Sequence, residues 1–505
     1  MHNSFIKYTF IFGIATFISR IFGFIRDAVI AFVFGANSLT DAFFVAWRLP
    51  NTLRQIFAEG GFNAVFIPIY TSLKQSNIDD AQKYVSSMFS YYTLVLSIIT
   101  IFAVIFSEVI VLVIAPGFAK NSEILETASN CVKIVFPYLI LIGFVSFFMA
   151  LLNTKGRFFI PAVSPALLNL SFIVFSLFFS SYLGIYSLAI GAIVGGVLQV
   201  ALTYYQAKKE GFYVRFTLNL HPKVKKTFQN LLPSAFTFGI DQISYILNTI
   251  LASLIGAGVI SYLYFANRIF QLPVGIVGNG LGNSLISVLS KHFASKDFKS
   301  FILDIENGIR FSLVASIPST FGMLILGQEI IQVLFARGAF EERDTFYTYL
   351  ALVGYAIGLI FSLAGKPLKS AYFSLGDYKT PVLCGFIGVI IGFFTAVGLV
   401  FFFNMGVFGI ALGLTVSSFV SFVLMWKFFS FEIPKKNIFI TALKSLLASF
   451  VFSILILALK PFVINKYIIV FGGIILAIFV YLLMLKILKE ELTNVILNKI
   501  FKKFS

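Results

Sequence analysis

The chain has 505 residues, 59% of them hydrophobic and 12% charged, and a formal net charge of +17. Soluble domains carry roughly a quarter of their residues charged, so this composition excludes an ordinary globular enzyme. The two cysteines, Cys131 and Cys384, lie in apolar runs and suggest neither a disulfide framework nor a metal site.

Apolar runs of about twenty residues recur from end to end, each able to cross a hydrocarbon core roughly 30 Å thick. They lack period-two alternation, so the predicted fold is an all-α polytopic membrane protein and not a β-barrel. In chain order the expected spans are 8–34, 41–68, 84–115, 125–153, 160–183, 186–207, 227–254, 260–290, 305–335, 345–374, 380–403, 407–429, 438–460 and 465–488, about fourteen helices. The first run is too long for a cleavable signal peptide, carries Arg20 and Arg26, and has no small-residue cleavage site.

Basic residues cluster on alternate loops. Lys208, Lys209, Arg215, Lys223, Lys225 and Lys226 share the middle loop, and Lys499, Lys502 and Lys503 the tail, while the opposite loops hold Lys120, Arg337, Arg343, Lys460 and Lys466. This positive-inside bias places both termini in the cytoplasm and accounts for the basicity without nucleic acid.

Compared with itself at an offset of about 220, the chain matches in order. Gly35-Ala36 falls on Gly256-Ala257, Ala46 and Arg48 on Ala266 and Arg268, Gly60 and Asn63 on Gly280 and Asn283. Further on, Gly156 and Pro161 fall on Gly376 and Pro381. The pattern predicts two six-helix lobes, 1–222 and 223–431, in a parallel repeat, with two additional helices and a basic tail over 432–505. Gly23, Pro50, Pro137, Gly143, Pro165, Pro233, Pro273 and Pro318 interrupt the spans where hinges are expected.

The charged residues inside the first two spans are the most informative. An arginine facing lipid at mid-bilayer costs about 2.5–3.5 kcal/mol, so Arg20, Arg26, Arg48 and Arg54 should line water or bind an anion. Arg20 and Arg26 are six residues apart, and each of Arg20–Asp27 and Asp41–Arg48 is spaced by seven, which returns to nearly one helix face. With Arg268, the arginines outnumber Asp27, Asp41 and Glu59, and the surplus guanidinium suits phosphate or diphosphate oxygens. Two plainer readings stand beside this one: Arg26 with Asp27 as an internal ion pair, and Arg54 snorkelling to the interface. Asp241 is a candidate cation ligand or a helix-packing group. His2, His221 and His292 are scattered, and no phosphate loop or metal spacing occurs, so neither an enzyme nor a cofactor is expected.

Ser19-Arg20-x-x-Gly23-x-x-Arg26-Asp27, Thr40-Asp41-Ala42-Phe43 and Leu49-Pro50-Asn51-x-x-Arg54-x-x-Phe57-Ala58-Glu59-Gly60 resemble the MurJ (MviN) lipid II flippase family. Tyr264-Phe265-Ala266-Asn267-Arg268-x-x-Gln271-Leu272-Pro273 is similar to that family's second-half signature. The resemblance implies two lobes about a cationic cavity, with the last two helices forming a groove for a polyprenyl tail. It implies alternating-access movement of undecaprenyl-diphosphate-linked disaccharide-pentapeptide to the outer leaflet of the bacterial inner membrane. The protein would be a monomer among membrane lipids, with wall-synthesis proteins as partners. Motif positions carry the substrate-binding role to Arg20, Arg26, Arg54 and Arg268, with Ser19, Asp27, Asp41, Arg48, Asn51 and Glu59 as supporting or gating groups. Asn267 and Gln271 stand where some relatives carry acids, which argues against a proton relay beside Arg268. Gly388 and Gly392 leave Asp241 without obvious co-ligands for a monovalent cation.

Overall fold

A chain that crosses lipid must satisfy its own backbone, and long apolar runs do so by coiling into helices. The computed structural model describes residues 19–57 and 61–492; within it, side chains at 55–57, 61, 64, 232–241, 279 and 283 lie outside the description. Among the described residues there are helices and turns and no strand. Helix α1 covers 19–34. It is followed by α2 (Ser38–Phe57), α3 (Gly61–Ser76), α4 (Ile78–Ile105), α5 (Ser107–Ile114), α6 (Ser122–Val135), α7 (Tyr138–Thr154), α8 (Phe159–Leu183) and α9 (Tyr186–Lys209). Then come α10 (Pro222–Ile255), α11 (Val259–Pro273), α12 (Asn279–Ala294), α13 (Phe298–Leu334), α14 (Glu342–Ser374), α15 (Lys379–Phe401), α16 (Gly406–Lys427), α17 (Lys435–Leu459) and α18 (Lys466–Ile487).

Eleven stretches among the described residues are long and apolar enough to cross a membrane. The other three expected spans, 8–34, 41–68 and 227–254, each run into residues or side chains outside the description. Several expected spans are built from two elements. Span 125–153 is α6 and α7, joined at Phe136-Pro137, and span 260–290 is α11 and α12, joined through a π-turn at Val274–Gly278 directly after Pro273. Proline removes the amide that would continue an α-helical ladder, and the chain adopts the wider turn there.

Packing divides the chain into two compact units. The first comprises Met1–Ser261 with Arg337–Phe340, the second Tyr262–Ala336 with Glu341–Ser505. In the first unit α8 packs on α9, α7 on α4 and α9, and α10 on α2, α3 and α4. Its core is a stack of rings, with Phe62 centred 5.1 Å from Phe66, 4.9 Å from Tyr92 and 5.9 Å from Phe147. In the second unit α14 lies against α13 and α16, α15 against α16, and α17 and α18 against α13. The α15–α16 contact uses the small residues that allow membrane helices to approach closely. A Cβ at Gly392 would sit 2.4 Å from the Gly413 carbonyl oxygen, and one at Gly388 2.6 Å from that of Ser417. Those two glycines, noted in the sequence as missing cation ligands, therefore serve helix packing.

The repeat is written in the helix ends. Asn77 caps α4 by accepting from the Asp79 and Asp80 amides, and Asp297 caps α13 by accepting from the Ser300 amide. Asn121 caps α6, and Glu341 begins α14 with a capping box that includes Asp344. Each second-unit cap lies 220 residues after its first-unit counterpart. At the other ends of α7 and α14, Gly156 (φ 70°) and Gly376 (φ 77°) adopt the left-handed turn that glycine favours. The following amides close the same loop, Arg157 N to Leu152 O at 3.1 Å and Asp377 N to Tyr372 O at 3.0 Å.

The last two helices are pinned by a buried polar cluster. Arg310 on α13 donates to Glu490 at 2.8 Å and to the Thr441 hydroxyl on α17 at 2.9 Å, and Lys444 approaches Glu490 at 3.3 Å. Lys460, just after α17, pairs with Glu329 on α13 at 2.6 Å.

Candidate substrate-binding site

Helix α1 presents its two arginines to different surroundings, as a six-residue separation requires. Arg20 is exposed. Arg26 is buried and heavily bonded: Nε and Nη2 donate to Asp27 Oδ1 at 2.9 and 2.7 Å, and Nη1 donates to Asn169 Oδ1 at 3.0 Å. Its guanidinium carbon lies 5.7 Å from the Phe172 ring centre. Asn169, on α8, also donates to the Ser19 carbonyl at 3.2 Å, so one amide grips α1 at both ends of the arginine pair. Asn169 was not singled out from the sequence; its signal was a lone amide in the apolar run 160–183.

Beneath Arg26 lies an aromatic wall. Trp47 stands edge-on to Phe172 at 5.4 Å and 5.1 Å from Tyr138, and Phe43 meets Phe172 at 6.1 Å. Tyr138 donates to Gln199 at 3.3 Å, and Gln199 to the Ser164 carbonyl at 3.1 Å.

A second face of α2 carries Asp41, Arg48 and Thr52, at the helical spacing of seven and four. All three reach α10 or the turn that follows it. Asp41 is fully buried and accepts from the Gly258 amide at 2.7 Å, the Ser261 amide at 2.8 Å and the Ser261 hydroxyl at 2.6 Å. It thereby satisfies orphan amides at the start of α11. Arg48 holds its guanidinium 5.6 Å from the Tyr245 ring centre, and Thr52 donates to Gln242 at 3.3 Å. Near the end of α2, Arg54 Nε donates to Asn51 at 3.2 Å. In the second unit, Arg268 donates to the Tyr264 hydroxyl one turn earlier at 2.7 Å, its guanidinium carbon 4.8 Å from that ring's centre.

The expected supporting residues thus separate by task. Asp27 neutralises Arg26, Asp41 anchors a helix start, Asn51 orients Arg54, and the Ser19 carbonyl receives Asn169. Glu59 and the Asp241 side chain lie outside the described residues. Among the described residues no group of three or more His, Cys, Asp or Glu is placed to hold a metal ion.

A duplicated helical bundle crossing the membrane many times, with cationic and amide side chains among its apolar helices, has the architecture of a multi-pass membrane transporter. The family model described as lipid II flippase MurJ matches residues 30–478, and the chain belongs to that family. A probable lipid II flippase MurJ of Buchnera aphidicola subsp. Schizaphis graminum is 34% identical over 512 residues, covering 97% of this chain and 98% of the relative. One of Aquifex aeolicus is 34% identical over 502 residues, covering 99% and 98%. Among solved structures, a lipid II flippase MurJ in an inward closed conformation is similar with a TM-score of 0.82 and 27% identity, over 94% of this chain and 98% of that one. An inward-facing multidrug resistance MATE family transporter of the MOP superfamily shares the fold, with a TM-score of 0.67 at 11% identity over 81% and 93% of the two chains.

Proposed function

We propose that this protein moves an undecaprenyl-diphosphate-linked disaccharide-pentapeptide from the inner to the outer leaflet of the bacterial cytoplasmic membrane by alternating access. The observation that carries this reading is membership of the lipid II flippase family over residues 30–478, joined to arginines held within apolar helices. Arg20, Arg54 and Arg268 are assigned to the diphosphate, whose oxygens match the planar guanidinium fork. Arg26, paired with Asp27 and bonded to Asn169, is assigned chiefly to holding α1 on α8. Arg48 stacks on Tyr245 and lines the same helix as Arg54. Both termini are assigned to the cytoplasm from the loop charges.

An inside-negative potential acts with about 2.3 kcal/mol per charge per 100 mV for full crossing. It favours outward passage of the diphosphate anion and draws the unloaded cationic surface back. The cycle then needs no bound cation at Asp241. The test is complementation of a bacterium depleted of its own lipid II flippase. Growth with the unaltered chain supports the reading; no growth from a chain present in the membrane at normal level sinks it.

A further inference from the structure

The segment between α9 and α10 is held against α4 in a way that transport does not explain. Residues 212–221 lie against that helix outside any helix or strand, and hydroxyls on α4 accept the segment's amides: Arg215 N to Ser86 at 3.3 Å, Thr217 N to Ser90 at 2.8 Å and His221 N to Ser87 at 2.9 Å. Tyr91 donates to the Leu218 carbonyl at 2.8 Å, and Gln82 donates to that of Tyr213. Phe212 is buried, and the Lys155 ammonium lies 5.0 Å from the centre of its ring. The backbone of this strap is thereby held, and several of its side chains are exposed.

What it exposes is a mixture of apolar and cationic groups. Tyr213, Phe216, Leu218 and Leu220 are 62%, 63%, 72% and 55% exposed. Arg215 stands among them, with Lys208 and Lys209 before and Lys223, Lys225 and Lys226 after, all exposed. Two nearby acids have partners of their own: Glu210 accepts from Arg157 at 2.8 Å, and Asp80 lies 3.3 Å from a ring nitrogen of His221. The three lysines in the first turns of α10 oppose that helix's dipole, an unfavourable placement within the fold itself. Positive-inside bias accounts for the sign of these charges; it does not call for four exposed apolar side chains on a pinned strap between them.

We propose that the 212–221 strap, with the flanking lysines, is a binding surface for anionic phospholipid headgroups of the leaflet it faces. Tyr213 and Phe216 would seat at headgroup level, as aromatic residues do at membrane interfaces, and the cations would meet lipid phosphates. The partner is a lipid surface and not free phosphate, because an inorganic anion gives the apolar side chains nothing to bury against.

The test uses the full chain and reads no turnover, so its failure is separate from failure of the transport reading. Native mass spectrometry would compare retention of phosphatidylglycerol and phosphatidylcholine by the unaltered protein and by Arg215→Gln/Lys223→Gln/Lys225→Gln/Lys226→Gln. Each basic residue near an anionic surface contributes about 1 kcal/mol, so phosphatidylglycerol retention should fall about tenfold or more. A control with Lys435→Gln/Lys436→Gln, on another basic helix start, should retain it. Should the fourfold variant misfold, amide exchange of 212–221 in the unaltered protein decides. Slower exchange in phosphatidylglycerol nanodiscs than in phosphatidylcholine nanodiscs supports the surface. Equal retention by the variant, equal exchange in both lipids, or equal protection by inorganic phosphate alone would overturn it.

Discussion

Asn77 and Asp297 stand 220 residues apart and perform one task, each placing a side-chain oxygen on the amide three residues ahead at the start of a long helix. Only one of them titrates. The Ser300 hydroxyl and amide hold the Asp297 carboxyl below its ordinary range, with smaller help from His292 and Lys299. A depressed folded-state value contributes stability that is present at neutral pH and lost as pH falls through that value. Amide exchange at the start of α13 should therefore be independent of Asp297 ionisation from pH 5 to 8 and should accelerate in stronger acid. Asp297→Asn should remove that acid response, because asparagine caps as well without a proton to gain. An unchanged acid response in the variant would show the carboxyl is not its source.

The Arg26–Asp27 pair is buried, and breaking such a pair exposes the cost of the charge left behind. Arg26→Ala is expected to destabilise the first unit by about 3–5 kcal/mol, read as a loss of thermal stability in detergent. Arg26→Ala/Asp27→Ala should recover a large part of that loss, since no lone charge remains. Asn169→Leu should reproduce a smaller share, because it removes only one bond to Arg26 and one to the Ser19 carbonyl. Equal destabilisation by the single and double variants would mean Arg26 acts through something other than charge pairing.

Asp41 makes three hydrogen bonds to the start of α11, and its loss strands two buried amides and a hydroxyl. Asp41→Ala should cost about 2–4 kcal/mol. Ser261→Ala should cost less, since the Ser261 amide keeps its acceptor. Exchange at Gly258 and Ser261 should rise in Asp41→Ala; unaltered protection there would remove Asp41 from the anchor.

Turnover in sealed vesicles should follow the membrane potential. Collapsing the potential while holding ion gradients constant is expected to slow transport strongly, whereas removing sodium at constant potential should leave it unaltered. The reverse pattern would replace potential coupling with ion coupling.

Much of this architecture was readable in the residues. Apolar runs gave the helices, and Gly156–Pro161 against Gly376–Pro381 gave the repeat, because a left-handed turn admits few residues besides glycine. The cap equivalences escaped the same comparison, since Asn and Asp, or Asn and Glu, do one job with different letters. Pro273 marked an interruption correctly, but the π-turn after it depends on how α11 and α12 pack. Arg310 gave no hint of its partner, because Glu490 lies 180 residues away and only the fold unites them. The arginines of α1 were legible as costly; that Arg26 is satisfied by Asp27 and Asn169 while Arg20 is exposed required the helix to be seen on its neighbours.

The central claim, that Arg20, Arg54 and Arg268 bind the diphosphate, is tested most directly by a reconstituted flipping assay. Arg20→Ala and Arg268→Ala should each abolish translocation of the lipid-linked precursor while leaving thermal stability near that of the unaltered protein. Folded variants that flip at the unaltered rate would contradict the account.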